Sequence, residues 1–291
     1  MGFNKNFVWG AATASYQIEG DRQGRGQSVW DECAHRPGFV QRGATGDVAC
    51  DHVNRMDEDI SIMDYLGLGA YRFSFAWPRI MPDGLGALNP KGLEFYDRLI
   101  DKLLEKNITP WATMFHWDYP VALYRRGGWL NPDSPKWFAE YAQILADRYS
   151  DRVENWITLN EPQCFIDLGH RRGFHAPGLQ LPFDQVLLAA HNALLAHGMA
   201  LSVLRARAKK PAKVGFSPSS RVIMPYTEKD VDLARRISFE IRDLDLFISD
   251  SWWCDAVFLG RYPESGMKLY ERFLPEIGAD DMKIIGADVD F

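Results

Sequence analysis

Positive charge is scarce in this 291-residue chain: 33 lysines and arginines stand against 39 aspartates and glutamates, for a formal net charge of −6. No concentrated basic face for nucleic acid is expected from that balance. The one basic cluster, RARAKK at 205–210, reads as the solvated end of a helix, where the helix dipole favours cations. Long apolar runs are also missing. None approaches the ~18 residues that a bilayer-spanning helix needs, so no membrane association is expected. Cysteine is limited to Cys33, Cys50, Cys164 and Cys254, without a CxxC pair. Cys33 with His35 and Cys50 with His52 give a Cys-x-His spacing that zinc sites do not ordinarily use. Free buried thiols and no metal are the expectation. No G-x-G-x-x-G or G-x-x-x-x-G-K fingerprint follows a strand, so no nucleotide cofactor is expected. The N-terminal MGFNKNFVWGAATASYQ has the lysine and small residues of a signal peptide, but its apolar run is short and carries Trp9 and Gly10. It reads as a first strand, with a cytoplasmic location as the default.

Aromatic and β-branched residues are present in quantity. Strand-like runs recur at 7–13, 70–77, 109–117, 155–161 and 213–218. Between them lie helical patterns at 57–66, 93–104, 135–149 and 184–208. In 93–104, Leu93, Tyr96, Leu99, Ile100, Leu103 and Leu104 form one stripe of a 3.6-residue period. In 135–149, Trp137, Phe138, Tyr141, Ile144, Leu145 and Tyr149 do the same. Strands alternating with helices predict an α/β fold with a parallel sheet, and nearly continuous apolar strands predict cover on both faces.

An open doubly wound sheet and a (β/α)8 TIM barrel both satisfy this pattern. Polar residues gather at the C-terminal ends of the runs: Gln17, His116, Asn160 and Glu161. That is where a barrel builds its active site, and the barrel is favoured. Five units between residues 7 and 290 take about 57 residues each, so eight would need roughly 450, within the range of decorated barrels. The chain is therefore expected to hold about five βα units and, in VDF at 289–291, the start of strand six. Residues 1–291 form one domain that lacks strands six to eight, and a complementary C-terminal segment is an expected partner.

Glu161 ends an apolar run, where a carboxylate is costly unless it is paired or wanted for chemistry. Two readings stand: a salt-bridged capping group, or a general acid. A carboxyl in a partly desolvated pocket holds its proton to higher pH and can protonate a leaving glycosidic oxygen. Beside it, Asn160 could hydrogen-bond a sugar 2-hydroxyl. Trp117 and Trp129 could stack on a sugar face or belong to the core.

The segments FVWGAATASYQIEG (7–20), SVWD (28–31), AYRFSFAWPRI (70–80), NPKGLEFYDRLIDKLLEKNITP (89–110), FHWDYPVAL (115–123), GGWLNP (127–132), TLNEP (158–162) and HAPG (175–178) together resemble the family 1 glycoside hydrolases, the β-glucosidase and 6-phospho-β-glucosidase family. The resemblance runs in order through nearly the whole chain. It implies a (β/α)8 barrel and a retaining, metal-free and cofactor-free hydrolysis of terminal β-D-glucosyl residues. It makes Glu161 the acid/base, Gln17, His116 and Asn160 binders of the non-reducing sugar, Trp117 a pocket aromatic, and Arg72 the neighbour of the nucleophile. The family's nucleophile is a glutamate in a Thr-Glu-Asn-Gly motif on strand seven, and no such motif occurs here. Asp118 and Glu19 are expected to be structural and not to replace it. Since retention needs two carboxyls about 5–5.5 Å apart, the 291 residues alone are expected to be inactive or nearly so. The alternatives are a sugar-binding half-barrel without chemistry, or a 6-phospho-β-glucoside or β-galactoside as substrate. The oligomeric state is not legible.

Overall fold

The computed structural model of the protein describes residues 2–5, 7–221 and 223–291. Five strands are present: β1 (Gly10–Ala12), β2 (Ala70–Ser74), β3 (Thr109–Phe115), β4 (Asn155–Asn160) and β5 (Lys213–Ser217). They form one sheet in the order β1-β2-β3-β4-β5, every pair parallel. Helices cross over between them: α1 (His52–Tyr65), α2 (Pro90–Glu105), α3 (Ser134–Tyr149) and α4 (Phe183–Arg207). After β5 come α5 (Asp250–Leu259) and α6 (Asp281–Ile285). The result is an incomplete (β/α)8 barrel, as expected.

The strands are apolar because both faces are covered. All six residues of β4 are buried, and so are the alternate large rings of β2, Tyr71 and Phe73. On α2 the residues Leu93, Tyr96, Leu99, Ile100 and Leu103 are buried, whereas Leu104 is 40% exposed and lies outside the stripe predicted for it. On α3 the residues Trp137, Phe138, Tyr141, Leu145 and Tyr149 are buried, with Ile144 only packed against the core.

The expectation that no stretch is apolar enough to cross a bilayer needs correction. By length and composition the 25-residue α4 is such a helix, but 72% of its most apolar 18-residue window is buried within the fold. Ala189, Ala190, Ala193 and Ala196 let it lie close against α3. Gly198 sits against the Ile284 carbonyl of α6, where a Cβ would collide.

The first run also differs from its prediction. Only Gly10–Ala12 pairs. Phe7, Val8 and Trp9 are exposed, and the rings of Phe3, Phe7 and Trp9 meet one another in tilted and edge-to-face contacts with centroids 4.5–4.8 Å apart. As an edge strand, β1 has a neighbour on one side only, so its entry has no second ladder to join. The predicted start of strand six is not assigned as a strand. Its residues do run beside β5: Asp290 N donates to Val214 O at 2.8 Å, and Phe216 N donates to Phe291 O at 3.2 Å. The Phe291 ring covers Gly215 and meets Trp111 at 5.1 Å between centroids.

Candidate active site

The site is built at the C-terminal ends of β2, β3 and β4. Arg72 lies within β2, in register with Ala12 of β1 and Trp111 of β3. Its Nε donates to Thr113 Oγ1 of β3 at 2.8 Å, and its Nη2 donates to Asn160 Oδ1 at the end of β4 at 2.6 Å. Burial makes its proton easier to lose than usual, while the charge of Glu161 opposes that effect. Glu161 is thus the carboxylate whose field acts on Arg72 among the described residues.

Because Arg72 occupies the Asn160 carbonyl oxygen, the Asn160 amide nitrogen turns to His116 Nε2, 3.1 Å away. A nitrogen that accepts there leaves the ring proton on Nδ1, which has no protein partner. Burial, helped by the Arg72 charge, pushes His116 down to about 3. The imidazole is therefore neutral at any ordinary pH. It enters the site as a hydrogen-bonding group, not as a cation.

Two residues at these strand ends have left-handed backbone: Trp117 at φ 78° and Glu161 at φ 44°. Such conformations cost on the order of 1–3 kcal/mol for non-glycine residues and persist where the surroundings impose them. For Trp117 the restraint is its indole Nε1, which donates to Asn160 O at 2.8 Å, and the His175 ring at 5.3 Å. Glu161 is held by its own amide, which donates to Ser217 O of β5 at 2.7 Å, and by its carbonyl, which accepts from Cys164 N at 2.9 Å. A π-helical segment, Cys164–Arg171, follows directly.

A cavity of about 440 Å³ opens beside this cluster, lined in part by Tyr16, Gln17, Trp30, His116, Trp117 and His175. Its size and mixed lining suit a small polar ligand. Gln17 reaches it from the one-turn helix Ser15–Ile18 that follows β1, as an exposed residue. Arg72, Asn160 and Glu161 lie outside its lining, so the strand-end cluster flanks the cavity. Glu161 is partly buried and acts on the cavity through the charge it exerts on His175.

The predicted residues thus fall into two connected sets: Arg72, Asn160, His116 and Trp117 linked by hydrogen bonds, and Gln17, His116 and Trp117 around the cavity. Asp118 is structural. It is buried, accepts from Ser15 Oγ at 2.6 Å, and is pushed up to about 7 chiefly by burial. Glu19 is structural as well: it is buried, paired with Arg79 at 2.8 Å, and accepts from Tyr96 OH at 2.6 Å. Trp129 belongs to the core, packed on Phe115, Tyr119 and Phe165. The four cysteines are free. Among the described residues no three His, Cys, Asp or Glu side chains group as metal ligands. Sequence reasoning missed Thr113, His175 and Cys164. Thr113 is two residues from the end of a strand whose next members were singled out, and Cys164 follows Glu161 by three residues across a tight turn.

The model for glycosyl hydrolase family 1 matches residues 1–291. Beta-glucosidase A of Thermotoga maritima is 46% identical over 292 residues, which are 99% of this chain and 64% of that protein. A 1,4-beta-D-glucan glucohydrolase of Thermotoga neapolitana is 44% identical over 295 residues, 99% of this chain and 67% of that one. Among solved structures, the beta-glucosidase from Thermotoga maritima in complex with castanospermine superposes with a TM-score of 0.90 at 45% identity, covering 99% of this chain and 64% of that one. The same enzyme in complex with isofagomine lactam gives 0.89. This chain therefore spans about two thirds of the length of the relatives it matches.

Proposed function

The chain belongs to glycosyl hydrolase family 1, and on that premise we propose that its strand-end cluster serves a retaining β-glucosidase acting on terminal non-reducing β-D-glucosyl residues. The observation that carries this reading is the line Arg72–Asn160–His116, fixed by hydrogen bonds of 2.6 and 3.1 Å, with Glu161 one residue further at the same rim. Glu161 gives its proton to the glycosidic oxygen as the bond breaks, and later takes a proton from the attacking water. Gln17 and neutral His116 hold hydroxyls of the glucosyl unit, Asn160 lies where its 2-hydroxyl arrives, and Trp117 packs against the ring. Arg72 spends Nε and Nη2 on Thr113 and Asn160, and its Nη1 is the donor we assign to the nucleophile. An opposite charge keeps such a carboxylate ionised.

The nucleophile, we propose, comes from the further third of the barrel that the relatives carry. The relatives' names, beta-glucosidase and glucan glucohydrolase, support a glucoside. The test is hydrolysis of an aryl β-glucoside by the 291-residue chain alone and together with the complementary segment of a relative. Turnover is expected only for the pair, and only while Glu161 is intact. Turnover by the isolated chain that E161Q abolishes would overturn the need for the second carboxylate, and a pair that stays silent would overturn the glucosidase reading. A second reading, sugar binding without chemistry, is favoured by the formed cavity; heat on titrating glucose into the isolated chain would support it.

A further inference from the structure

Cys164 is three residues beyond Glu161, at the start of the π-helical segment. It is buried, and the ordinary expectation for such a cysteine is packing as a small apolar residue. Its position says more. The turn 161–164 is closed by the Cys164 amide on the Glu161 carbonyl, and it swings the thiol back over the carboxylate, with Sγ 3.6 Å from Oε2. That is the separation of an S–H···O bond. Burial, with the Glu161 charge as the second cause, pushes the thiol up to about 12, so the sulfur keeps its proton and is a donor at working pH. A left-handed glutamate followed by a π-helical turn is the kind of local irregularity that collects at functional sites.

We propose that Cys164 is a positioning residue for Glu161: its S–H donates to Oε2 and anchors that oxygen, leaving Oε1 to exchange the proton with substrate. The inference rests on the acid/base reading for its catalytic meaning but not for its geometry. Among the described residues, the titratable groups that Glu161 acts on are Arg72 from β2, His175 from the loop after the π-helical segment, and Cys164 itself. Cys164 differs from the other two in making a side-chain hydrogen bond to the carboxylate, and it does so as a neutral donor.

Infrared spectroscopy of the 291-residue chain tests this without turnover. The wild-type minus C164A difference isolates one S–H stretching band, expected at lower frequency than a free thiol. With Cys164 intact, E161Q should move that band to higher frequency, because an amide is a weaker acceptor than a carboxylate. Acid should move it the same way in wild type and leave it unmoved in E161Q. A band at the free-thiol position that ignores E161Q would overturn the proposal, and because E161Q retains the thiol, the result does not depend on C164A folding. In the full barrel, C164A should shift the basic limb of the kcat/KM profile upward by a few tenths of a pH unit, and C164S should restore it. If no glycoside is turned over at all, the glucosidase reading fails and the infrared result still decides the contact.

Discussion

Asp118→Asn is the substitution whose effect is most directly worked out from the structure. Asp118 is 2% exposed and accepts a hydrogen bond from Ser15 Oγ and a contact from its own backbone N–H, while Oδ1 has no other side-chain or main-chain partner among the described residues. Burial raises its carboxyl from 3.8 to about 7. Ser15 lowers it, Glu19 raises it further, and Arg25 opposes. Its folded value lies above its unfolded one, so the folded chain binds the proton more tightly. The stability this contributes is fully present below about pH 4 and is lost as pH rises to about 7. A displacement of roughly three pH units, at about 1.4 kcal/mol each, makes that loss about 4 kcal/mol. Asparagine is neutral throughout and its carbonyl oxygen can still accept from Ser15. D118N should therefore match wild type near pH 4 and exceed it by up to about 4 kcal/mol at pH 8. Urea denaturation of both proteins at a series of pH values reads this as a midpoint that diverges with pH. Equal curves at pH 8, or a variant that loses stability as steeply as wild type between pH 4 and 7, would refute the reasoning.

Asn160→Ala strips Arg72 and His116 of their partner; in the full barrel kcat should fall about 100-fold or more, and the chain should lose ~1–3 kcal/mol in urea. Arg79→Met leaves Glu19 buried and unpaired, since Arg79 Nε and Nη1 hold Glu19 and Asp21 at 2.8 Å; a loss of about 3–5 kcal/mol is expected in the same assay. Gly198→Ala drives a methyl against the Ile284 carbonyl and should cost ~1–3 kcal/mol by overpacking, with faster amide exchange in α6 as its local signature.

The sheet and its helices were legible because periodicity and burial agree: β4 reads as a continuous apolar run and is buried along its whole length. What sequence could not supply was the effect of neighbours. Phe7, Val8 and Trp9 look like a strand, yet at an edge they have no second ladder. Leu104 fits the helical stripe by spacing, yet it is 40% exposed while its neighbour Leu103 is buried, so it lies outside the covered face of α2. The apolar α4 is indistinguishable by composition from a membrane helix, and only its packing on α3 shows otherwise. In the site, strand-end placement brought His116 and Asn160 to notice, and the resemblance added Arg72. That one hydrogen-bond line joins them, and that it leaves the imidazole neutral with its proton on Nδ1, depends on three strands meeting at one rim. Residues 219–288 carry α5 and α6 in a region without a dominant period; the helices there are short and held by side chains such as Trp252 and Trp253, which are buried.

The order of the sheet is the order of the chain: each strand lies beside the one that precedes it. A ribosome releases this protein from its N-terminus, at ~5–20 residues per second. Every strand from β2 onward thus emerges with its partner already made, and no unit has to wait for a distant one in order to pair. Assembly can keep step with synthesis, each crossover helix sealing the ladder just laid down. The exception is the free side of β1, where Phe7 and Trp9 stand in water. In a closed barrel it is the surface that the last strand covers, so of all the ladders it is the one that local pairing cannot complete.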